Sequence, residues 1–138
     1  MGDSMIDSFS LELMRLMQRR HAPAGSVLDL SAFRLAYHLS RIGPSTAKDL
    51  AESTLLDQST VSRQVSSAIQ RGWLERTTDE SGAHLIVATP AGAEALEHDL
   101  ALRGRDLRAA LAALDPQTQD GLVAGLRAYN DAFDALED

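Results

Sequence analysis

The strongest constraint on the fold comes from capping residues and a glycine that divide residues 46–72 into two short helices. Thr46 and Asp49 have the spacing of a capping box, which predicts that a helix begins after Thr46. Asp57 is a typical N-cap for a second helix, and Gly72 stands where glycines commonly end helices. A short helix, a turn and a second helix are the parts of a helix-turn-helix.

Two short strands are predicted directly after this motif. Residues 73–77 and 85–89 are rich in β-branched and apolar side chains, and residues 79–82 between them are turn formers. The segment therefore reads as a β-hairpin with an exposed tip. A hairpin that follows a helix-turn-helix is the wing of a winged helix-turn-helix.

Helices are predicted on both sides of this module. Apolar spacing indicates helices over residues 5–20 and 29–42, and Thr-Pro and Asp-Pro pairs open two more, at residues 90–114 and from 116 onward. We therefore predict a mainly α protein with a small β-hairpin wing, in the α+β class. The winged helix-turn-helix is flanked by N- and C-terminal dimerisation helices.

The predicted organisation is one unit over residues 1–138. We expect residues 29–89 to form the winged helix-turn-helix, and residues 1–25 and 90–138 to form a helical dimerisation part. The last helix carries apolar residues in steps of four and three, as in a heptad seam: Leu122, Leu126, Tyr129, Phe133 and Leu136. The seam could pack on its own chain. A homodimer is the preferred interpretation, since one small module cannot cover the stripes of all the long helices.

Several function classes are disfavoured by what the sequence lacks. The chain has no cysteine, and its four histidines (21, 38, 84 and 98) are scattered, so we expect neither a metal site nor a cofactor. No nucleophile and base stand at catalytic spacing, so we expect no enzyme activity. There is no apolar run of about 20 residues and no leader-like start, which leads us to expect a cytoplasmic protein without membrane contact.

The net charge of the chain disfavours a nucleic-acid partner, but the charge is unevenly distributed along the sequence. The formal net charge is −7, whereas DNA-binding proteins usually carry a basic surface. Residues 90–138 hold ten acids and four arginines, while residues 45–76 hold four of each sign. The neutral middle segment can still present a local basic face to phosphates.

The start of the second helix has the side chains that a DNA-reading helix needs. Val61 belongs to the buried stripe, which leaves Gln58, Ser59, Ser62 and Arg63 free to face outward. Glutamine suits adenine, arginine suits guanine or phosphate, and serine suits base edges or phosphates. The same polar residues would also suit a helix start chosen only for capping.

Four segments together give the chain a family resemblance. Residues 46–52, 57–63, 71–76 and 85–92, which include Ser-Thr-Val-Ser-Arg and Arg-Gly-Trp-Leu-Glu-Arg, resemble the MarR family of multiple antibiotic resistance regulators. The resemblance implies a homodimeric repressor on double-stranded DNA with a pseudo-palindromic operator, released by a small phenolic or anionic effector. It also implies that residues 29–89 are the DNA-binding part and that the first and last helices form the dimer interface. The helix after Asp57 would enter the major groove, and the hairpin would reach the minor groove.

Two sets of residues are predicted to contact DNA or a small-molecule effector. The DNA-binding set is Thr46, Gln58, Ser59, Thr60, Ser62, Arg63, Gln64, Arg76, Ser81 and His84. The effector-pocket set is Tyr37, His38 and Arg41, for which a purely structural role is the alternative. Arg76 could contact a phosphate or pair with Asp79 across the hairpin.

The wing departs from the family pattern. The family carries arginines after the aspartate near the wing tip, whereas no arginine follows Asp79 in the tip of this chain. We therefore expect Ser81 and His84 to contribute little to affinity. Either DNA binding is weaker or more salt-sensitive than the family pattern suggests, or the helix after Asp57 carries most of the sequence reading. A winged-helix dimer with weak DNA contact, acting as a protein-interaction module, is the alternative function.

Overall fold

The computed structural model describes residues 2–19 and 22–137, which contain six helices and one two-stranded antiparallel sheet. The predicted fold class is confirmed, and the boundaries differ from the sequence prediction by a few residues at most. Arg20 and His21, which were assigned to the first helix and the following break, lie outside the described residues. The elements are α1 (Asp3–Gln18), α2 (Leu30–Ile42), α3 (Ala47–Thr54), α4 (Gln58–Gln70), β1 (Leu74–Thr78), β2 (His84–Ala88), α5 (Pro90–Ala112) and α6 (Pro116–Glu137).

The chain divides into two compact units, residues 1–102 and 103–138. The first unit contains the helix-turn-helix, the hairpin and the beginning of α5. The second contains the end of α5 and α6. Gln119 of α6 donates from Nε2 to the carbonyl oxygens of Leu111 and Leu114, at 2.7 and 3.0 Å, and so fastens the start of α6 to the end of α5.

The predicted caps set the helix starts of the helix-turn-helix. The Thr46 hydroxyl accepts from the Asp49 amide at 3.1 Å, and the Asp49 carboxylate accepts from the Thr46 amide at 3.4 Å, which completes the capping box. Asp57 caps α4 by accepting from the Thr60 amide at 2.8 Å. The positions at which α3 and α4 begin are thus fixed by residues that the sequence already singles out.

The core of the first unit holds α4 by one face only. Val61, Val65 and Ala68 are buried in a cluster that also contains Leu35, Leu39, Leu50, Ala51, Leu74 and Ile86. At about 25 cal/mol per Å² of buried apolar surface, this stripe fixes the rotation of α4 about its axis. The opposite face of α4 is therefore turned to solvent.

A short backbone pairing attaches the hairpin to the connection between α2 and α3. The Ser45 amide donates to the Ile86 carbonyl at 3.2 Å, and the Ile86 amide donates to the Ser45 carbonyl at 2.7 Å. Ser45 is buried, and its hydroxyl donates to the Gly43 carbonyl at 2.8 Å. Because β2 is paired on both edges at this point, the wing has a fixed position beside α3 and α4.

Helices α1 and α6 bury none of their described residues. Both nevertheless carry large apolar side chains, which are exposed at Met5, Ile6, Phe9, Leu11, Met14, Leu16, Met17, Leu122, Val123, Leu126, Phe133 and Leu136. Such long apolar faces are unusual on an isolated monomer. None of the described helices is long and apolar enough to cross a membrane.

Replacing Leu55 by glycine should stabilise the fold. Leu55 ends α3 in the left-handed region, with φ of 58° and ψ of 32°, and its side chain is 83% exposed. This backbone conformation costs a residue with a Cβ about 1–2 kcal/mol, which glycine does not pay. Part of the stabilisation is lost, because glycine gives the unfolded chain more conformational freedom. We expect Leu55→Gly to raise the free energy of unfolding by about 0.5–1 kcal/mol in urea titrations at fixed protein concentration.

Leu55→Ala is the matched control for this prediction. It removes the exposed side chain but keeps the Cβ, and therefore keeps the strain. We expect no stabilisation from it. An equal gain in both variants would show that the exposed side chain, and not the backbone conformation, is responsible.

Candidate DNA-binding surface

The outermost ridge of α4 is formed by four polar residues. Ser59, Arg63, Ser66 and Gln70 follow one another in steps of four, three and four, and all are exposed. They lie opposite the buried stripe, as the 3.6-residue period requires. Ser66 and Gln70 were missed by the sequence analysis, although their spacing from Arg63 could have indicated them.

The other sequence-predicted residues of this region lie around the ridge. Gln58 is exposed in the first turn of α4, while Thr60, Ser62 and Gln64 are half-buried on its flanks. Thr46 is half-buried and uses its hydroxyl in the cap of α3. Of the sequence-predicted residues of α4, Gln58, Ser59 and Arg63 are therefore the ones that are exposed.

A hydrogen-bond network organises the first turn of α4 around Asp57. The Ser59 hydroxyl donates to Asp57 Oδ1 at 2.5 Å, and the Thr60 hydroxyl donates to Asp57 Oδ2 at 2.7 Å. Arg63 Nη2 in turn donates to Thr60 Oγ1 at 3.3 Å. The side chains proposed to meet DNA are thus held in one connected arrangement.

The charge of Asp57 is stabilised by this network. The hydrogen bonds from the Ser59 and Thr60 side chains, followed by the Thr60 amide and the Arg63 guanidinium, hold the pKa of Asp57 well below its usual range. The carboxylate is therefore ionised at neutral pH. An ionised carboxylate can only accept hydrogen bonds, which fixes the direction of each bond in the network.

The far end of α4 is engaged with another element. Arg71 donates from Nη1 to Asp29 Oδ2 at 2.6 Å, and Asp29 is the N-cap of α2. Both side chains are substantially exposed, so the pair contributes at most about 1 kcal/mol. Arg71 is committed to this contact, whereas among the described residues Arg63 donates a side-chain hydrogen bond to the Thr60 hydroxyl and forms no ion pair within 4 Å.

A small depression joins α4 to the wing. Its volume is about 80 Å³, and its polar lining comes from Ser62 of α4, Arg76 of β1 and His84 of β2. Within the described residues Arg76 makes no ion pair, and the pairing with Asp79 that the sequence left open is not formed. The fold therefore brings three predicted DNA-binding residues together at the edge of the ridge.

The wing tip is closed on itself. Asp79 Oδ1 accepts from the Ser81 amide and hydroxyl, at 2.9 and 2.6 Å, and from the Ala83 amide at 3.0 Å. These bonds, led by the one from the Ser81 side chain, lower the pKa of Asp79. Ser81 thus spends its hydroxyl proton within the tip, and no arginine or lysine lies between residues 77 and 84.

The three residues predicted for an effector pocket do not surround a cavity. Tyr37 is exposed and stacks on Phe33 with ring centroids 6.2 Å apart, and His38 Nδ1 lies 2.8 Å from Ser53 Oγ. Arg41 is exposed near the end of α2. Within the described residues, no group of three or more potential metal ligands occurs.

An apolar cavity lies instead between α2, β2 and the first half of α5. Its volume is about 370 Å³, and it is lined by Ala36, Leu39, Ser40, Pro44, Val87, Ala88, Ala93, Leu96, Glu97 and Leu100. Residues 36, 39 and 40 share a face of α2 that Tyr37, His38 and Arg41 do not share. The three predicted pocket residues therefore do not line this cavity, which lies on the neighbouring face of α2 and is formed only by the folded arrangement of three elements.

Comparison with known proteins identifies the helix-turn-helix and most of the wing. Residues 28–83 match the model of the MarR family. This stretch runs from the residue before the cap of α2 into the wing tip and includes the whole ridge of α4. A search of curated protein sequences finds no match.

The fold is shared with solved structures of transcription regulators. A probable transcriptional regulator from Pseudomonas aeruginosa is 29% identical, covers 87% of this chain and 95% of its own, and has a TM-score of 0.74. The regulator BpsR from Bordetella bronchiseptica, described with 6-hydroxynicotinic acid, is 22% identical over 88% of this chain and 92% of its own, with a TM-score of 0.71. A mutant MarR from E. coli complexed with operator DNA is 17% identical over 91% and 95%, with a TM-score of 0.75.

Proposed function

We propose that this chain, of which residues 28–83 match the model of the MarR family, is a homodimeric transcriptional repressor. It binds a pseudo-palindromic operator, and a small molecule releases it. The observation that carries the proposal is the ridge of α4, which is polar and exposed opposite a buried apolar stripe and lies next to the wing. A helix presented in this way fits the major groove, with its N-terminal turn nearest the base edges.

A second copy of the chain is the proposed partner of α1 and α6. The two helices bury nothing themselves, and α6 carries its apolar residues in heptad-like steps. A two-fold dimer covers such faces and presents two copies of α4 to successive turns of DNA. We expect Leu126→Glu to shift the protein to monomer in light scattering, whereas Ala124→Glu, off the apolar stripe of α6, should leave the dimer intact. A dimer that persists in Leu126→Glu would contradict this assignment.

Selection of bound sequences from a random DNA pool tests the function as a whole. The expected result is a two-fold symmetric consensus with half-site centres about one helical turn apart, roughly 10 base pairs. Affinity should fall steeply between about 50 and 200 mM salt, because each phosphate contact releases counterions. A consensus without symmetry would contradict the dimer geometry.

Arg63 and the wing should contribute very differently to affinity. Arg63 is the exposed cation of the ridge, and losing a base or phosphate contact of this kind costs about 1–3 kcal/mol, or roughly 5- to 150-fold in affinity. Ser81 is occupied within the wing tip and His84 carries no permanent charge. We expect Arg63→Ala to weaken operator binding at least tenfold in a titration at fixed salt.

The matched variants are Ser81→Ala and His84→Ala. We expect each to change operator affinity less than about threefold, since a weak exposed contact contributes well under 1 kcal/mol. A tenfold loss in either wing variant would show that the wing reads the minor groove despite its lack of arginine.

The cavity between α2, β2 and α5 is the proposed effector site. Its lining is apolar except for Ser40 and Glu97, so a compact phenolic molecule fits better than an anion, which the Glu97 carboxylate would repel. BpsR, of the same fold, is described with 6-hydroxynicotinic acid, which is an anion at neutral pH, so Glu97 predicts a different ligand preference for this chain. Leu96→Phe should fill the cavity and abolish release from DNA by simple phenols, while operator affinity without ligand stays near the wild-type value.

A protein-interaction module is the second candidate function. The net charge of −7 and the wing tip without a basic residue favour it. The two functions differ at low salt, where a winged helix with several phosphate contacts must bind DNA. Failure to bind any duplex at about 50 mM salt would favour the interaction module.

A further inference from the structure

We propose that Ser59 reads a base amino group, of adenine or cytosine, by acting only as a hydrogen-bond acceptor. This inference rests on the proposed function, because it concerns the side chain that the first turn of α4 presents to the major groove. It goes further in two ways. It states which base group Ser59 binds, and it assigns to Asp57 the role of taking the Ser59 proton so that Ser59 can only accept.

The proton of the Ser59 hydroxyl is already used. A serine hydroxyl has one proton to donate and two lone pairs that accept. Ser59 donates that proton to Asp57 Oδ1 at 2.5 Å, and hydrogen bonds to an ionised carboxylate are short and strong. What Ser59 offers to solvent, and to DNA, is therefore a pair of acceptor sites.

Thr60 is excluded from this role by its own contacts. It also spends its proton on Asp57, through Oδ2 at 2.7 Å, and its oxygen accepts from Arg63 Nη2 at 3.3 Å. Thr60 is half-buried as well, whereas Ser59 is exposed on the outermost ridge of α4. In this turn Ser59 is thus the hydroxyl with an accessible acceptor.

The hydrogen-bond donors and acceptors of the major groove differ between bases, so an acceptor-only Ser59 prefers some bases to others. Adenine presents its N6 amino group and cytosine its N4 amino group, which are donors. Guanine and thymine present only acceptors at the corresponding edge, and phosphate oxygens are acceptors too. An acceptor-only Ser59 therefore cannot bind the phosphate backbone, as a free serine can, and it disfavours guanine and thymine at the position that it faces.

The experiment uses the operator obtained from the random pool, with single-base analogues that lack the amino group. Purine replaces adenine and 2-pyrimidinone replaces cytosine, one position at a time. We expect one position in each half-site at which removal of the amino group weakens wild-type binding about 3- to 10-fold, the value of one hydrogen bond. Ser59→Ala should bind the two forms of that position equally well.

Two variants of Asp57 distinguish its effect on the Ser59 proton from its role as the N-cap of α4. Asparagine caps helices well and glycine is tolerated at the N-cap, and both remove the charge of Asp57. Asp57→Asn keeps the Oδ1 atom that accepts from Ser59, so the preference for an amino group should persist. Asp57→Gly has no side-chain oxygen to accept from the Ser59 hydroxyl, so the proton is freed and the preference should extend to guanine or thymine.

The outcomes distinguish this inference from the function on which it rests. If no sequence is selected from the pool, the proposed function fails and the inference fails with it. If an operator is bound but no position depends on an amino group, or if Asp57→Gly keeps the wild-type preference, only the assignment of Ser59 and Asp57 is overturned.

Discussion

Gly92→Ala is expected to lower the free energy of unfolding by about 3 kcal/mol, in the upper range for an overpacked site. Gly92 lies in the first turn of α5, against the backbone of Trp73. An added Cβ would lie 2.0 Å from the Trp73 carbonyl oxygen and 2.9 Å from its carbon. These are backbone atoms, so the clash cannot be relieved by turning a side chain.

The backbone around Trp73 has little freedom to move. Its carbonyl oxygen accepts from the Thr89 amide at 3.0 Å, and the Thr89 hydroxyl donates to the Gly72 carbonyl at 2.5 Å. The same hydroxyl accepts from the Gly92 amide at 3.0 Å. A methyl group at position 92 therefore displaces the junction at which the end of α4, the start of the wing and α5 meet.

The measurement is a urea titration at one protein concentration, since dimerisation makes apparent stability depend on concentration. Gly121→Ala is the control: it also lies within a helix, and nothing lies within 4 Å of its added Cβ. We expect that variant to gain up to about 1 kcal/mol from helix propensity. Equal midpoints for Gly92→Ala and the wild type would show that the junction can yield.

The local features of the fold could be predicted from the sequence because they depend on neighbouring residues. Thr46 with Asp49, and Asp57 with its following turn, are recognisable from spacing alone, and the structure confirms them as caps. The inward face of α4 followed from the helical period of Val61 and Val65. The same period fixes the opposite face, and therefore places Ser59 and Arg63 outward.

The features that the sequence analysis missed depend on contacts between distant residues. The pairing of Ser45 with Ile86 is a single bridge without a repeating pattern, and the cavity under α5 takes its walls from three separate elements. The acceptor-only character of Ser59 depends on a residue close in sequence, but it requires a side-chain contact that spacing alone does not show. Asp57 and Ser59 are two residues apart, and a carboxylate at a helix start commonly takes nearby hydroxyl protons.

Asp99 is the clearest case of a residue whose role no spacing could show. It lies on α5, is 1% exposed, and shares the buried face with Ala95 and Leu96. Its two oxygens accept from the backbone amides of Val27 at 2.8 Å and Leu28 at 2.9 Å. The carboxylate therefore ties α5 to the segment that leads into α2, across more than 70 residues of sequence.

Asp99→Asn is expected to destabilise the fold by about 2–3 kcal/mol, although it preserves the shape of the side chain. An amide has one acceptor oxygen and one NH₂ group, so one of the two backbone N–H groups would face another donor in a buried site. The loss should appear in urea titrations. Faster hydrogen exchange at the Val27 or Leu28 amide should accompany it, whereas a change confined to global stability would not identify the broken contact.

Asp106→Asn provides the matched control, because Asp106 lies on the same helix in an exposed pair with Arg105 at 3.5 Å. We expect this variant to stay within about 0.5 kcal/mol of the wild type, as exposed pairs usually do. If Asp99→Asn were equally neutral, the two amides would not need a carboxylate. The connection between α5 and α2 would then depend on the apolar cluster of Leu28, Ala32, Ala36, Ala95 and Leu96, which is present in both variants.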